Sequence, residues 1–318
     1  MSQDRPVIAR LEGASKRYGA VQALDGLDLE VRRGEVLAVL GPNGAGKTTS
    51  IALLLGLLRP DAGQVTLFDM APTARAVRER CGVMLQVSRL PEPITVREHI
   101  TLFSSYYPRP LPVEETLGLA GLTEVADRRY GKLSGGQQQR LKFALALCGD
   151  PEVLFLDEPT VALDVEARRQ FWNVIRARVA GGVTVLLTTH YLEEADALAD
   201  RIVLVDHGKL VVAGSPAEIK ARSAGRRIRC VTRVSAAQAA RMAGVKEVAC
   251  HGAALEILAS HAEPVVRELL LQDPDLSDLE VTGAGLEQAF LALTRQPQKE
   301  AVQSGVQPRR NAAQGVTP

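Results

Sequence analysis

The segment GPNGAGKT, residues 41–48, constrains the fold of this chain more than any other feature. It matches the pattern G-x-x-x-x-G-K-[ST], in which a glycine-rich loop surrounds phosphate groups with backbone N–H donors. The apolar run EVLAVL precedes the loop, and the helical run TSIALLLGLL follows it. A strand, a glycine-rich loop and a helix in this order predict a nucleotide-binding α/β sheet.

The residue types of this loop suit a triphosphate. Glycine at three positions lets the backbone curl, so that successive N–H groups point at phosphate oxygens. The Lys47 ammonium supplies positive charge for the β- and γ-phosphates, and the Thr48 hydroxyl can bind Mg²⁺. We therefore expect the nucleotide to be bound by Gly41, Pro42, Asn43, Gly44, Ala45, Gly46, Lys47, Thr48 and Thr49.

Two further strand ends supply groups for metal binding and hydrolysis. The run VLFLDEP, residues 153–159, predicts a buried strand that ends on two carboxylates. Asp157 can hold Mg²⁺, and Glu158 can accept a proton from an attacking water molecule. His190 follows the run VTVLLTT, and we expect it at the same sheet edge, in reach of the γ-phosphate or of water. An Asp-Glu pair after an apolar run is common, and only its combination with the phosphate loop favours this interpretation.

LSGGQ, residues 133–137, predicts a second anion-binding turn. Ser134 and Gln137 have the S-x-x-Q spacing of a capping box, which predicts a helix over the following QQRLKFALALCG. Two glycines leave backbone N–H groups of that helix start uncovered, and such a start attracts anions. Thr95 and Glu98 predict another capping box, at the start of a helix whose apolar stripe continues to Tyr107.

The pattern along residues 7 to about 220 predicts an α/β sheet core, because short apolar runs alternate with helical patterns. The predicted strands are Glu35–Leu40, Val153–Leu156, Val183–Thr188, Ile202–Val205 and Lys209–Val212.

The chain is expected to contain two domains and a tail. A nucleotide-binding cassette occupies 1–221, with a helical subdomain over about 87–150. Residues 222–295 read as β-α-β-β-α-β, which is typical of a small ferredoxin-like α+β domain. Residues 296–318 have almost no large apolar side chains, so this tail is predicted to be disordered.

The composition favours a protein without an overall electrostatic attraction to nucleic acid or anionic lipid. Lys+Arg 38 against Asp+Glu 37 gives a net charge of +1. The longest apolar run, residues 51–58, is less than half a membrane span, and no apolar signal-peptide core follows Met1. We therefore expect a soluble cytosolic protein without nucleic-acid partners. Its four cysteines are expected to be buried, reduced and without a metal.

Taken together, these motifs resemble one family, the ATP-binding subunits of ABC transporters. The resemblance covers about residues 7 to 220, and LSGGQ is its most specific element. The motifs stand in the family's order: Tyr18 in KRYG, the loop GPNGAGKTT, Gln86, LSGGQ, VLFLDEP, ALD at 162–164, and TTHYLEEAD around His190.

The resemblance implies a role for each matching residue. Tyr18 would stack on adenine, and Gln86 would join the Mg²⁺ and the attacking water, together with Thr48 and Asp157. Glu158 would be the base and His190 a switch on the γ-phosphate. Small departures exist at Ala162, where many relatives have Gly or Ser, and at Val87, where an acidic residue is frequent.

The resemblance also explains the second anion-binding turn. In this family two subunits pair head to tail, so that LSGGQ of one chain covers the ATP on the other chain's phosphate loop. Ser134, Gly135, Gly136 and Gln137 would therefore contact the partner's nucleotide, and Asp164 would form a contact across the dimer. The implied partners are a second ATP-binding subunit and a separate integral membrane permease, which would hold the chain at the cytoplasmic face of the membrane.

Other functions are left open by the sequence. GLEQAFLALT at 285–294 and the TTHYLEEADALADRI run resemble the drug- and antibiotic-export branch of the family. Within the transporters, an importer or an exporter of lipid or polysaccharide is also open. The alternatives outside transport are an ABC ATPase of translation or DNA repair and a nucleotide-binding regulator without turnover. A single set of motifs and the intact Asp157, Glu158 and His190 favour the transport ATPase.

Overall fold

A computed structural model describes residues 5–86, 89–222, 225–283 and Leu286. By its contacts the chain divides into two compact units, with the division between Arg222 and Ser223. Each unit has its own sheets and its own apolar core.

The first unit is built on a six-stranded sheet. Its central strands are buried on both faces, which is why their sequences are uninterrupted apolar runs. The order is β5-β6-β7-β3-β8-β9, parallel except for the last strand. The predicted strands are confirmed to within one or two residues at their ends. The strands are β3 Val36–Leu40, β5 Cys81–Met84, β6 Val153–Asp157, β7 Thr184–Thr188, β8 Arg201–Asp206 and β9 Lys209–Gly214.

A second, antiparallel sheet of this unit is absent from the predicted strands. It has the order β2-β1-β4 and consists of β1 Val7–Tyr18, β2 Val21–Arg32 and β4 Ala62–Leu67. Apolar residues on one face of β1 and β2 pack with Leu37, Ile51 and Phe155 in one core. The register shifts several times between β1 and β2, so the apolar residues do not alternate regularly along the sequence.

Helices connect the strands of the first unit. They are α1 Lys47–Leu54, α2 Arg75–Arg78, α3 Val96–Ser104, α4 Val113–Leu119, α5 Gly135–Leu147, α6 Val165–Ala180, α7 Leu192–Leu198 and α8 Pro216–Arg222. The predicted capping boxes are confirmed, since both reciprocal hydrogen bonds form at Thr95 with Glu98 and at Ser134 with Gln137. Helices α3, α4 and α5 share a separate apolar cluster. Tyr107 packs against that cluster, although α3 ends at Ser104.

The second unit contains a four-stranded antiparallel sheet with the order β11-β12-β10-β13. In chain order its elements are β10 Arg226–Val231, α9 Ala236–Ala239, β11 Val245–His251, β12 Ala254–Ala259, α10 Ala262–Gln272 and β13 Ser277–Gly283. This is the predicted β-α-β-β-α-β sequence with ferredoxin-like strand order. The predicted last helix, except Leu286, and the predicted disordered tail lie outside the described residues.

Two properties of the whole chain bear on the sequence predictions. Cys81, Cys148 and Cys230 are buried as expected, but Cys250 is exposed on β11, so the prediction for that cysteine is wrong. Within residues 5–86, 89–222 and 225–283, the structure contains no helix that is long and apolar enough to cross a membrane.

Candidate functional site

The predicted site residues lie at one edge of the six-stranded sheet. Parallel pairing sets Val39 beside Thr188 and Asp157 beside Thr188, so β3, β6 and β7 end together. The loop 41–46 follows β3, while Glu158 and His190 follow β6 and β7. Ligands of open α/β sheets bind at this carboxyl edge.

The phosphate loop is held against the rest of the unit by glycines. A Cβ on Gly41 would lie 2.2 Å from the Val205 carbonyl oxygen, and a Cβ on Gly46 would lie 2.5 Å from that of Ala23. Any larger residue would therefore displace the loop from its neighbours. Gly46 also has a φ of +104°, in the left-handed region, directly before α1.

Lys47 points back into this loop. Its Nζ donates hydrogen bonds to the carbonyl oxygens of Gly41, at 2.8 Å, and Pro42, at 3.1 Å. Burial lowers the pKa of Lys47, and the nearby carboxylates of Glu158 and Asp157 partly oppose that change. A buried ammonium enclosed by the phosphate loop is suited to bind a phosphate anion.

Thr48 and Asp157 together suit a magnesium ion. Thr48 Oγ1 lies 3.0 Å from Asp157 Oδ2, and Mg²⁺ prefers such oxygen donors, completed by water and substrate phosphates. The Thr188 hydroxyl donates to Asp157 Oδ1 and so orients the carboxylate. In the part of the chain that is described, no cluster of three or more His, Cys, Asp or Glu could hold a metal. The donors fit an ion held jointly with a nucleotide.

Glu158 is fixed in an unusual backbone conformation. Its φ is +52°, which a residue with a side chain rarely adopts. The backbone N–H of Glu158 donates to the carbonyl oxygen of Thr188, at 3.1 Å, and to its hydroxyl, at 3.2 Å. The buried Glu158 carboxylate lies 2.6 Å from Nδ1 of the half-exposed His190. Strained backbone of this kind is concentrated at functional sites.

Gln86 and Tyr18 lie at the border of this region. Gln86 is exposed two residues after β5, whose Met84 pairs with Leu156 immediately before Asp157. Tyr18 ends β1 and is 48% exposed, which leaves its ring accessible to a ligand. The turn after Tyr18 leads into β2, whose Ala23 adjoins Gly46 of the phosphate loop.

The LSGGQ turn lies at the start of α5 in the same chain. Ser134 caps α5, and its hydroxyl accepts the Gln137 N–H at 3.3 Å, while Gln137 Oε1 accepts the Ser134 N–H at 3.0 Å. Among the described residues, the hydrogen bonds of the 134–137 turn do not extend to residues 41–49. Within the described part of the chain, hydrogen bonds thus do not connect the two predicted anion-binding turns.

The ALD segment, residues 162–164, leads into α6 from the loop 158–163, which contains the predicted base Glu158 and is called the catalytic loop below. Asp164 caps α6, its Oδ1 accepting the Ala167 N–H at 2.8 Å. Ala162 has a φ of +66°, which favours glycine. Glycine would adopt this backbone conformation without the strain that alanine has there.

Two side chains near the site were missed by the sequence analysis. Gln139, on α5, bonds to the backbone of Glu158 and Pro159. Glu194, on α7, is fully buried and accepts a hydrogen bond from Trp172 Nε1 at 3.4 Å. Glu194 could have been suspected, because it falls on the buried face of an amphipathic pattern beside Ala195 and Leu198. The contact of Gln139 has no local signal in the sequence.

Comparison with known proteins identifies the family of this chain. Residues 24–161 match the ABC transporter family. The daunorubicin resistance ATP-binding protein DrrA3 of Streptomyces coeruleorubidus is 46% identical over 70% of this chain and 73% of its own length. The chain belongs to the ATP-binding subunits of ABC transporters. The Nod factor export ATP-binding protein I of Burkholderia orbicola (strain AU 1054) is 44% identical over 63% of this chain and 68% of its own length.

A solved relative connects the family to ATP hydrolysis. It is an ATP-binding cassette whose dimeric structure shows a post-hydrolysis state with ADP and Pi bound. Its sequence is 25% identical to this chain, and the two structures superpose with a TM-score of 0.61 over 65% of this chain and 98% of the cassette. This ABC-family chain is thus an ATPase that binds ATP and ADP, as the motifs predicted. Subunits of this family pair and act with membrane permeases. The alternatives in translation, repair or regulation have no support among these relatives.

Replacing Lys47 with alanine should reduce ATP turnover to background, because the buried ammonium of the phosphate loop is lost. Turnover would be measured on protein whose circular dichroism and melting temperature match the wild type. Lys209→Ala, which removes an exposed lysine paired with Asp25, is the control and should retain full activity. Near-normal turnover by folded Lys47→Ala protein would contradict the assignment of this loop.

Glu194→Gln should stabilise the first unit increasingly as pH rises. Burial raises the pKa of Glu194 above the ordinary value of a glutamate, and hydrogen bonds with Thr189 and Trp172 oppose this change in part. A carboxyl with a raised pKa in the folded state costs stability as pH rises from its unfolded pKa through its folded pKa. The gain in melting temperature should thus be larger at about pH 8 than at about pH 5.

Glu193→Gln provides the matched control, because Glu193 is the exposed neighbour on α7. Its effect on the melting temperature should not change with pH. If Glu194→Gln raised the melting temperature equally at both pH values, ionisation of Glu194 would not destabilise the folded protein.

Proposed function

We propose that two copies of this chain form a head-to-tail dimer that hydrolyses Mg-ATP and drives a separate export permease. The observation that carries the proposal is that, among the described residues, the hydrogen bonds of the turn 134–137 do not reach the phosphate loop 41–49 of the same chain. A second copy brings the 134–137 turn to the nucleotide on the first.

Nucleotide binding then uses the phosphate loop of one chain. The backbone of 41–46 surrounds the phosphates, with Lys47 on the β- and γ-phosphates and Thr49 beside them. Tyr18, which is about half exposed, stacks on the adenine. Thr48, Asp157 and Gln86 hold Mg²⁺, which neutralises charge on the phosphates when it is bound.

Hydrolysis depends on Glu158 and His190. Glu158 accepts the proton of the attacking water as general base. His190 Nδ1 is within hydrogen-bond distance of the Glu158 carboxylate, and the other ring nitrogen, Nε2, contacts the γ-phosphate. The Thr188 hydroxyl donates to the Asp157 carboxylate and accepts the backbone N–H of Glu158, and these two bonds hold both residues in place during the reaction.

The partner chain completes the site. Ser134, Gly135, Gly136 and Gln137 of the partner cover the γ-phosphate with a hydroxyl and helix N–H groups. Asp164, at the exposed start of α6, makes a contact across the dimer. ATP is then bound between two chains, and its hydrolysis allows them to separate.

The transported compound is proposed from the relatives. Their names refer to daunorubicin resistance and Nod factor export. A drug, an antibiotic or another hydrophobic compound carried outward by the permease fits both. The chain would lie at the cytoplasmic face of the cell membrane, bound through the permease and without nucleic acid.

The domain roles complete the proposal. Residues 1–221 act as the cassette, and the region of about 87–150 contacts the permease. Residues 222–295 form an additional domain, followed by the tail 296–318.

Glu158→Gln tests the dimer, because it preserves size but cannot accept a proton. Turnover should fall by roughly 10²–10⁴-fold. The variant should then shift from monomer to dimer on a sizing column with Mg-ATP but not with ADP.

A second substitution tests the direction of pairing. Ser134→Arg, added to Glu158→Gln, should abolish the ATP-dependent dimer, because a bulky side chain blocks the contact with the partner's γ-phosphate. Binding of one nucleotide per monomer should remain, since the phosphate loop is untouched. If the double variant still forms the dimer with ATP, the LSGGQ turn does not face the partner's nucleotide and the proposed arrangement is wrong.

A further inference from the structure

The side chain of Gln139 connects the LSGGQ helix to the catalytic loop of the same chain. Gln139 lies in the second turn of α5, directly after the LSGGQ turn. Its amide Nε2 donates to the carbonyl oxygen of Pro159 at 2.9 Å and to that of Glu158 at 3.3 Å. Both acceptors are backbone atoms next to the proposed base.

Other contacts hold the same two segments together. A Cβ on Gly136, in the first turn of α5, would lie 3.3 Å from the Ala162 carbonyl oxygen and 3.9 Å from Leu163 Cδ2. A Cβ on Gly135 would lie 3.9 Å from Ala162 Cβ. The start of α5 thus packs on the loop 158–163, and Gln139 adds the directional contact.

The loop needs such support because its backbone is strained. Glu158 and Ala162 have φ values of +52° and +66°, and non-glycine residues keep such conformations only where surrounding contacts impose them. Thr188 fixes the N–H side of Glu158, and Gln139 fixes its carbonyl side. With both sides of the residue bonded, the direction in which the Glu158 side chain leaves the backbone is fixed, and the contact with His190 then orients its carboxylate.

We propose that Gln139 is a positioning residue for Glu158 of its own chain, through its hydrogen bonds to the Glu158 and Pro159 carbonyl oxygens. The inference rests on the proposed function, in which Glu158 is the base. It assigns Gln139 to the nucleotide on its own phosphate loop, although the adjacent 134–137 turn faces the nucleotide of the partner.

The first test separates turnover from binding. Gln139→Met keeps the length of the side chain but removes the donor, and it should lower kcat about tenfold, equivalent to about 1.4 kcal/mol. KM and the equilibrium affinity for ATP should stay within about twofold, because the phosphate loop is unchanged. Gln138→Met is the matched control, since the Gln138 amide bonds only to the Leu133 carbonyl oxygen among the contacts described. Its kcat should match the wild type.

The second test assigns the effect to one site. A mixed dimer with Glu158→Gln in one chain hydrolyses ATP only at the intact Glu158 of the other, and two affinity tags allow its purification. Gln139→Met in the chain with intact Glu158 should slow turnover about tenfold relative to the unsubstituted mixed dimer. Gln139→Met in the other chain, whose LSGGQ turn covers the active nucleotide, should leave turnover unchanged.

The outcomes separate this inference from the proposed function. The positioning role would be overturned if Gln139→Met slowed turnover equally in either chain of the mixed dimer, or only in the chain that carries Glu158→Gln. A loss of ATP affinity equal to the loss of turnover would overturn it too. Unchanged kcat in Gln139→Met protein would overturn it as well. If the Glu158→Gln chain forms no dimer with ATP, the proposed dimer fails, while the first test still decides the role of Gln139.

Discussion

The parallel pairing of β6 with β7 is the constraint on which the site depends. It sets Asp157 beside Thr188. The Thr188 hydroxyl therefore donates a hydrogen bond to the Asp157 carboxylate and accepts one from the backbone N–H of Glu158. The same pairing brings His190 to the Glu158 carboxylate. Both strands are buried throughout, and their central residues are apolar, so hydrophobic burial stabilises the alignment that the polar groups at the strand ends require.

The sequence predicts the elements whose signals are local. Uninterrupted apolar runs indicate β3, β6 and β7, and the S-x-x-Q spacing predicts the start of α5, because these patterns reflect burial and capping directly. The β1–β2 ribbon was not predicted, because register shifts interrupt its alternation. Gln139 contacts Glu158 and Pro159, which lie 19 and 20 positions further along the chain. This contact depends on tertiary packing, and no local sequence pattern predicts it.

The catalytic loop and the LSGGQ turn are parts of one continuous arrangement. The loop 158–163 contains two strained residues and packs on α5, whose N-terminus presents the anion-binding turn. In the proposed dimer, a shift of that turn caused by the partner's nucleotide would reach Glu158 through Gln139. The 2.9 Å hydrogen bond from Gln139 to the Pro159 carbonyl oxygen would be the last step of that path.

The central claim is that the two anion-binding turns of different chains enclose one ATP, and chemical cross-linking tests it most directly. Both chains carry Glu158→Gln and Cys250→Ser, which removes the exposed thiol. One chain adds Asn43→Cys in the phosphate loop, and the other adds Ser134→Cys. A short bis-maleimide, which adds to two thiols, should join the two chains when they are mixed with Mg-ATP, and neither chain alone nor the mixture with ADP should be joined. Efficient cross-linking without ATP, or none with it, would contradict the account.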